Sequence, residues 1–335
     1  MANCREKYKF IIAGRTGELY DYVYRDTNIL DYARFDSGIP VSPLLKFIMR
    51  VHLSKKVNNI LSMPFKNVWG RIWIKHWKKL LKNMNLDNRS VCFILFADMI
   101  PFEEYGLTQD IRKAFPQAKI VYFYQDLVAR DKNKLKPIQE KSPDLIMSFD
   151  YGDAEKYNLV HHNFPYSKLR NDYVNQELDS DVCFIGRAKD RLEEIINAYI
   201  FFSEQGLKCD FYIIDVPNDR QKYSDKIHYC EPMDYDSYLK KIAKSKSVLE
   251  IMQGGGSGNT IRINEVIEFN KILITNNEKL SQSVLYDSRY MFSYHNVHEL
   301  DCKKIQQINH VSYDNREMMS IENFLEDVAK NLEGK

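Results

Sequence analysis

The stretch that decides the fold is SVLEIMQGGGSGNTIRINEVIEFNKILIT, residues 247–275. It begins with a largely apolar, β-branched run that is typical of a buried strand, and KILIT (271–275) is a second such run. Between the two runs, Ile263, Val266 and Ile267 lie at spacings i, i+3 and i+4, which is the spacing of one apolar helix face. The stretch therefore predicts a strand, a glycine-rich turn, a helix and a further strand.

The glycine-rich turn is the first candidate binding site. Its glycines let the backbone approach a bulky anion closely and adopt positive φ. At the start of a helix that follows a parallel strand, backbone N–H groups and the helix dipole both favour a phosphate. The turn has neither the Gly-Lys-Ser/Thr of a P-loop nor the spaced glycines of a dinucleotide fingerprint, and a flexible loop tip stays open as the alternative. The turn contains Gly254, Gly255, Gly256 and Gly258, with the good helix N-caps Ser257, Asn259 and Thr260.

Strands and helices alternate cleanly from about residue 180 onward, and this alternation predicts a parallel, doubly wound sheet. The first half shows the same pattern less regularly. We therefore predict an α/β protein of two Rossmann-like, doubly wound domains that face each other across a cleft. Ligands of such sheets bind beyond the carboxyl ends of the strands, where the 252–260 turn would lie. The buried-strand candidates of the first half are 8–14, 91–98, 118–126 and 144–150.

The expected boundaries follow from this alternation. Residues 1–165 form an N-terminal domain and residues 178–320 a C-terminal domain. A polar, strand-poor segment at about 165–180 is expected to be a linker between them. A final helix within 321–335 has apolar residues suited to packing back on the body.

Composition describes an ordinary globular chain. The 335 residues are 44% hydrophobic and 28% charged, with a net charge of +2. Six scattered cysteines form no CxxC pair, which favours reduced thiols and a reducing compartment. The N-terminus shows no signal-peptide pattern, and no apolar stretch approaches the ~20 residues that span a bilayer. We expect a cytoplasmic protein.

The charge is unevenly distributed. Between Asp36 and Asp87 the chain has ten Lys and Arg residues and no acidic residue. We expect residues 40–86 to be a basic, aromatic insertion in the N-terminal domain. Nucleic acid is not the expected partner, because no recognised binding motif accompanies the charge.

All three tryptophans, Trp69, Trp73 and Trp77, lie in this insertion at a spacing of four, along one helix face. Tryptophan beside Lys and Arg on an amphipathic helix suits the surface of an anionic membrane. We therefore expect contact with the inner face of the cell membrane. The alternative is a core-facing tryptophan stripe with a solvated basic back.

A family resemblance rests on several of these segments. DVCFIGRAKDR (181–191), followed by the 247–275 stretch, is similar to the donor domain of bacterial GT-B glycosyltransferases of cell-surface polysaccharide synthesis (capsular, exopolysaccharide or lipopolysaccharide). VYFYQDLVAR (121–130) and MSFDYGDAEKYNL (147–159) resemble the acceptor-domain strands of that group. The resemblance covers about 90–330. It implies transfer of a sugar from a nucleotide-diphosphate sugar to a surface-glycan acceptor, which is expected to be lipid-linked.

The resemblance also implies a donor site. Sugar transfer develops negative charge on the departing pyrophosphate, so the enzyme needs hydrogen-bond donors and cations there. Arg262 and Arg187 are the candidate cations. Glu265 fits the carboxylate that such enzymes place on the donor ribose hydroxyls. Arg262 and Glu265 could instead form an i,i+3 surface pair. The expected donor-binding residues are Gly186, Arg187, Gly256, Ser257, Gly258, Asn259, Thr260, Arg262 and Glu265.

The catalytic base stays open at this point. An inverting enzyme needs a carboxylate or histidine to deprotonate the acceptor hydroxyl. Asp126 and Asp98 end apolar strands, and Asp150 and Asp153 follow a third. Of these four, Asp126, Asp98 and Asp153 are the predicted catalytic residues. A helix cap or a loop hydrogen bond is the alternative for each. The chain lacks a clear Glu-x7-Glu motif of the commoner retaining families, which leaves the stereochemistry open.

No metal site or cofactor is expected, and the nucleotide-diphosphate sugar enters as a substrate. The resemblance implies that the helix dipole and basic side chains replace a divalent ion. Asp234 and Asp236 precede a helix and are expected to be caps rather than metal ligands. Two rival functions remain: a nucleotide-sugar epimerase of the same fold, or a non-catalytic protein that binds a nucleotide or a partner.

Overall fold

The structure is a computed structural model of the 335-residue chain. It describes all residues except 1–3, 15–16, 26–31, 36–41, 55–56, 58–59, 62–63, 66–67, 83–88, 97–98, 100–105, 129–134, 141, 169–172, 174–175, 255, 257 and 335. The chain divides into two compact units. Unit 1 contains Met1–His162 and Phe324–Lys335, and unit 2 contains Asn163–Asn323.

Unit 1 is built on a parallel sheet. Its described strands follow the order β2-β1-β3-β4-β5-β6, and each neighbouring pair is parallel. The long strands are buried except at Ser90 and Lys119, the first residues of two of them, because helices cover both faces of a parallel sheet. The strand order reverses between β1 and β3, which is the topological switch point of this sheet. The strands are β1 (Tyr8–Ala13), β2 (Tyr32–Phe35), β3 (Ser90–Phe96), β4 (Lys119–Tyr124), β5 (Leu145–Ser148) and β6 (Val160–His161).

The described helices of unit 1 are α1 (Glu18–Val23), α2 (Pro43–Leu53), α3 (Val68–Lys82), α4 (Leu107–Ala114), α5 (Leu135–Glu140) and α6 (Tyr151–Tyr157). Local sequence explains where α6 begins, since the Asp150 side chain accepts a hydrogen bond from the Asp153 N–H at 2.9 Å. The C-terminal helix belongs to unit 1 from Phe324 onward. There the Phe324 and Phe123 rings pack 5.2 Å apart.

Unit 2 repeats the architecture with a different strand order, β12-β11-β10-β7-β8-β9 among its described residues, again all parallel. Its order reverses between β7 and β10, which are hydrogen-bonded neighbours. The strands are β7 (Ser180–Arg187), β8 (Cys209–Ile214), β9 (His228–Cys230), β10 (Ser245–Glu250), β11 (Ile272–Thr275) and β12 (Met291–Ser293). The helices are α7 (Leu192–Glu204), α8 (Tyr235–Ala243), α9 (Ile261–Glu268) and α10 (Cys302–Gln307). The C-terminal helix, α11 (Ile321–Glu333), begins in unit 2 and belongs to unit 1 from Phe324 onward.

The segment expected to be a polar linker is instead packed into unit 2. Tyr166, Ser167 and Tyr173 are all buried. The Tyr173 hydroxyl donates to Asp236, and the Tyr166 hydroxyl lies 2.9 Å from that of Tyr235. The linker prediction is wrong here because each tyrosine contributes a large apolar ring as well as a polar group, and both are used in packing.

The prediction that the tryptophan stripe contacts a membrane is wrong for Trp69. Trp69 is buried in the core of unit 1, and its Nε1 donates to His52 Nδ1 at 2.8 Å. Trp69 therefore takes the core-facing alternative and cannot lie at headgroup depth. The side chains of Trp73 and Trp77 lie outside the described part of the structure.

Two further observations concern the environment of the chain. The five described cysteines, Cys92, Cys183, Cys209, Cys230 and Cys302, all have free thiols. Within the described residues, no helix combines the length and hydrophobicity that crossing a bilayer requires.

Candidate functional site

The candidate site lies in unit 2 at the switch point between β7 and β10. Two loops meet there, one following β7 and the other containing the glycine-rich turn that follows β10. A Cβ atom on Gly254 would lie 3.6 Å from Asp190 Oδ2, and one on Gly186 would lie 3.8 Å from Arg191 Nη2. The loops are thus in contact across the switch point, the place where open α/β sheets bind ligands.

Two arginines are anchored at this edge by backbone carbonyl groups. Arg191 donates to the carbonyl of Ile251 and, at 3.1 Å, to that of Arg187. Arg262 donates to the carbonyl of Ile185 at 2.9 Å. Both guanidinium groups are therefore fixed beside the ends of β7 and β10.

The environment of Arg191 favours an anion. Burial, and next the charge of Arg262, lower the pKa of Arg191. Its Nε is also buried, with no hydrogen-bond partner among the described residues. A buried hydrogen-bond donor without a partner carries a desolvation cost, and a negatively charged hydrogen-bond acceptor would remove it.

Glu265 lies one turn into α9 and is fully buried. Its carboxylate accepts from the hydroxyl of Tyr235 at 2.8 Å and from that of Tyr238, and Arg262 Nη1 lies 3.5 Å from Oε2. The two tyrosine rings are stacked, with centroids 5.4 Å apart. Burial raises the pKa of Glu265 to about 7, although Arg262 and the Tyr235 hydroxyl oppose the rise. The pair with Arg262 that the sequence allowed does form, but it is enclosed rather than on the surface.

A second buried carboxylate, Glu250, holds the start of α9. It accepts from the hydroxyl of Thr275 at 2.7 Å and from that of Thr260. Thr260 is also the N-cap of α9, because its hydroxyl oxygen accepts from the Arg262 N–H at 3.1 Å. The Thr260 hydroxyl hydrogen is therefore directed at Glu250 and away from the glycine-rich turn.

The remaining residues of the turn have structural roles. The Asn259 side chain is buried and donates to Asn163 Oδ1 at 2.9 Å and to the Ser283 hydroxyl at 2.6 Å. Gly258 is buried, and Gly256 is half-buried with its N–H donating to the Gln253 carbonyl at 3.2 Å. These contacts fix the path of the backbone around the turn. The prediction for Ser257 lies outside the described residues.

Arg187, at the end of β7, differs from the other two arginines because its side chain is 52% exposed. It forms an ion pair with Asp215. The side chain is therefore accessible to a ligand.

The three candidate bases belong to unit 1 and have different environments. Asp126 follows β4 and is exposed. Asp153 is buried, and its carboxylate accepts from the Val128 N–H at 2.5 Å, so it ties the loop after β4 to the start of α6. Asp98 lies outside the described residues.

Several residues of the site were not predicted from the sequence. Arg191 is the last residue of the basic loop RAKDR (187–191), directly before α7, and this position was the signal that could have identified it. Glu250 is the last residue of β10, and this position at the end of a strand could have identified it in the same way. Tyr235 and Tyr238 meet Glu265 across two helices, which no local pattern indicates. Asp234, in contrast, caps α8 as predicted, accepting from the Ser237 N–H at 2.8 Å. The same prediction is wrong for Asp236, which lies inside α8 and accepts from the Tyr173 hydroxyl.

Among the described residues, no group of three or more His, Cys, Asp or Glu side chains is placed to hold a metal ion.

No protein-family model matches the sequence, and no curated protein is similar to it in sequence. Solved structures match it in fold. A UDP-GlcNAc 2-epimerase from Neisseria meningitidis, bound to UDP-GlcNAc, superimposes with a TM-score of 0.50 at 9% identity, over 98% of this chain and 100% of that one. A UDP-forming α,α-trehalose-phosphate synthase from Burkholderia xenovorans gives a TM-score of 0.53 at 10% identity, over 97% and 99%.

A glycosyltransferase from Rickettsia africae gives a TM-score of 0.51 at 12% identity, over 97% of this chain and 98% of that one. Together these likenesses confirm the predicted fold class, two Rossmann-like α/β domains of the GT-B type. At such low identity they establish the fold, which glycosyltransferases share with an epimerase, and leave the reaction to be argued from the site.

Proposed function

We propose that the chain is a metal-independent glycosyltransferase that moves a sugar from a nucleotide-diphosphate sugar to a surface-glycan acceptor. The observation that carries this proposal is the pair of anchored arginines, Arg191 and Arg262, beside the glycine-rich turn. They lie at the switch point of a doubly wound sheet, where a dianionic pyrophosphate meets both cations and the start of α9.

In this proposal the site stabilises the leaving group. Cleavage of the bond between the sugar and the pyrophosphate leaves negative charge on the phosphate oxygens. Arg191 supplies its buried Nε–H to one of them, and Arg262 and the N-terminus of α9 supply positive charge nearby. Arg187 contributes from the exposed side. These cations then do the work that a divalent ion does in other transferases.

Glu265 binds the donor ribose in the proposed complex. Its two carboxylate oxygens accept hydrogen bonds from Tyr235 and Tyr238, so the position already suits a pair of hydroxyl donors. The ribose hydroxyls replace tyrosine hydroxyls when the nucleotide binds. UDP is the first nucleotide to test, because the epimerase and the trehalose-phosphate synthase of the same fold act on or form UDP compounds.

The acceptor is proposed to be a glycan, carried on a lipid at the inner face of the cell membrane. Asp126 is the better-supported base, because it is exposed at the carboxyl end of β4, and Asp98 is the second candidate. Replacing the base by asparagine should lower kcat at least a hundredfold and leave UDP binding unchanged. Asp153 is a weaker candidate because its carboxylate is engaged by Val128.

The test of the donor site is calorimetric titration of UDP, GDP, CMP and dTDP into the wild type and the variants Arg191→Met and Glu265→Gln. One nucleotide should bind with micromolar affinity, and each variant should bind it at least tenfold more weakly, a change of about 1.4 kcal/mol. Arg289→Met is the matched control, since Arg289 pairs with Asp287 and Asp314 at the amino ends of the strands. If no nucleotide binds, the proposed function is wrong.

Turnover assays distinguish the proposed transferase from the two rival functions. A sugar-nucleotide converted to an epimer without any acceptor would identify an epimerase. Nucleotide binding with no turnover, across a panel of glycan acceptors and candidate donors, would identify a non-catalytic binding protein. Release of the nucleotide only when acceptor is present supports the transferase.

A further inference from the structure

The apolar side chains that unit 1 exposes are concentrated between residues 43 and 68. Helix α2 exposes Leu44, Phe47 and Ile48, at spacings i, i+3 and i+4, with accessible fractions of 68%, 64% and 45%. Another side of α2 carries Met49, which packs against the core of unit 1. The helix is thus anchored by one side and presents a second apolar face to solvent. Contiguous exposed apolar surface of this kind marks an interaction site.

The chain after α2 extends this surface. Ile60 and Phe65 are 90% and 81% exposed. His52, near the end of α2, has its Nε2 2.7 Å from the Pro64 carbonyl oxygen, and its Nδ1 accepts from Trp69. Pro64 is therefore held beside the end of this helix. We name the combined surface the apolar patch; it consists of Leu44, Phe47, Ile48, Ile60, Leu61 and Phe65.

A row of cations begins where the apolar patch ends. Val68, the first residue of α3, is 41% exposed. Cations follow it at the spacings of one helix face, and they are exposed while Trp69 and Ile74 face the core. They line a groove of about 620 Å³ between α3 and α4, whose lining includes one carboxylate. The charged residues of the groove are Arg71, Lys75, Lys78, Lys79, Asp110 and Lys113.

The apolar patch and the adjacent row of cations together favour one kind of partner. No acidic residue lies between Asp36 and Asp87, so nothing within this stretch repels an anionic surface. A second copy of the chain, joined through the same face, would bring two basic surfaces together. A nucleic acid would engage the cations but would offer the apolar patch no apolar surface in return. An anionic bilayer satisfies both, because it takes apolar side chains below its headgroups and cations at its phosphates.

We propose that unit 1 docks on an anionic lipid bilayer, with the apolar patch inserted below the headgroups and the α3 cations at the lipid phosphates. Helix α2 lies in the plane of the interface. Trp69 is the internal contact that holds α2 against α3 and is not an inserted side chain. This docking goes beyond the proposed function, since it needs neither the donor site nor turnover.

The test is co-sedimentation of the full chain with vesicles of phosphatidylcholine, and with vesicles in which about a third of the lipid is phosphatidylglycerol. Two variants remove one contribution each: Leu44→Ser/Phe47→Ser and Lys75→Glu/Lys78→Glu/Lys79→Glu. Each has a matched control that changes exposed side chains of the same kind in unit 2, Val284→Ser/Met318→Ser and Lys208→Glu/Lys226→Glu/Lys303→Glu. Thermal unfolding of every variant verifies that it is folded.

Docking predicts sedimentation with the anionic vesicles and at least tenfold weaker binding of both test variants. The two controls should bind like the wild type. High salt should weaken binding, because the lipid charge is screened. UDP titrations should be unaffected by the test variants, which separates this inference from the donor site.

Three outcomes would overturn the inference. The first is no binding to anionic vesicles. The second is binding that the lysine variant loses and the serine variant keeps, which would indicate a soluble polyanion as the ligand. The third is a dimer in solution that the serine variant converts to a monomer, which would assign the patch to a second copy.

Discussion

The two sheets of this protein have the same construction but use their carboxyl edges differently. In unit 2, the switch point between β7 and β10 gathers two anchored arginines and two buried glutamates. In unit 1, two acidic residues after β5 are used to build the fold, with Asp150 capping α6 and Asp153 holding the loop after β4. A doubly wound sheet therefore provides an edge that can carry a site. Whether it does depends on the few residues in the loops at that edge.

The largest expected effect in this comparison comes from Arg262→Met. Removing the guanidinium leaves Glu265 buried with a lost charge partner, which should destabilise the protein by about 3–5 kcal/mol at pH 8. Arg112→Met is the control in unit 1, where Arg112 lies 3.3 Å from Asp144 in a half-exposed pair, and it should cost no more than about 1 kcal/mol. Chemical denaturation of both variants at pH 8 measures the difference. Equal losses would show that enclosure of the Arg262–Glu265 pair does not increase its contribution to stability.

The next effect is a pH dependence that belongs to Glu265. The pKa of Glu265 is about 7 in the folded protein and about 4.5 in the unfolded chain. Folding therefore binds a proton between these values, and stability falls as the pH rises through that window, by about 3 kcal/mol in total.

The variant Glu265→Gln should lack this loss. Its free energy of unfolding should rise relative to the wild type between pH 4.5 and 7.5, measured by denaturation at closely spaced pH values. Parallel profiles of the two proteins would mean that Glu265 is already ionised well below neutral pH.

A smaller effect compares two helix caps. Asp150→Ala removes the cap of α6 and Thr260→Ala that of α9, and each should cost about 1 kcal/mol of stability. Only Thr260→Ala should also weaken UDP binding, by about threefold or more, because it frees Glu250 beside the arginines. Thermal unfolding and calorimetry on the same samples separate the two effects. If Asp150→Ala weakened UDP binding equally, the donor site would not be confined to unit 2.

The smallest effect is expected for Arg187→Met. Its ion pair with Asp215 is exposed and should contribute within about 0.5 kcal/mol to stability. UDP binding should weaken by about threefold, since an accessible cation adds a screened attraction to the pyrophosphate. An affinity loss as large as that of Arg191→Met would place Arg187 among the principal phosphate contacts.

The elements of the fold were largely predictable from local pattern. Residues 91–98 predicted β3 and residues 118–126 predicted β4 to within two residues, because both are continuous apolar runs. The same holds for the Asp234 cap, whose hydrogen bond is made within three residues.

The contacts that shape the candidate site were not predictable in this way. Glu265 is enclosed by Tyr235 and Tyr238, about thirty residues away along the chain. Its burial depends on how α8 packs beside α9, which the sequence period of either helix does not specify. Trp69 shows the same limit, because a tryptophan stripe has one spacing whether it faces lipid or a core.

The chain connectivity of unit 1 has a consequence for engineering. The rings of His162 and Phe324, the residues at which unit 2 leaves and rejoins unit 1, lie 5.0 Å apart in T-shaped contact. Unit 2 is thus an insertion whose two attachment points are neighbours. Joining residues 162 and 324 directly by a short glycine-serine linker should give an uninterrupted, foldable unit 1, and residues 163–323 can be expressed as a separate cassette.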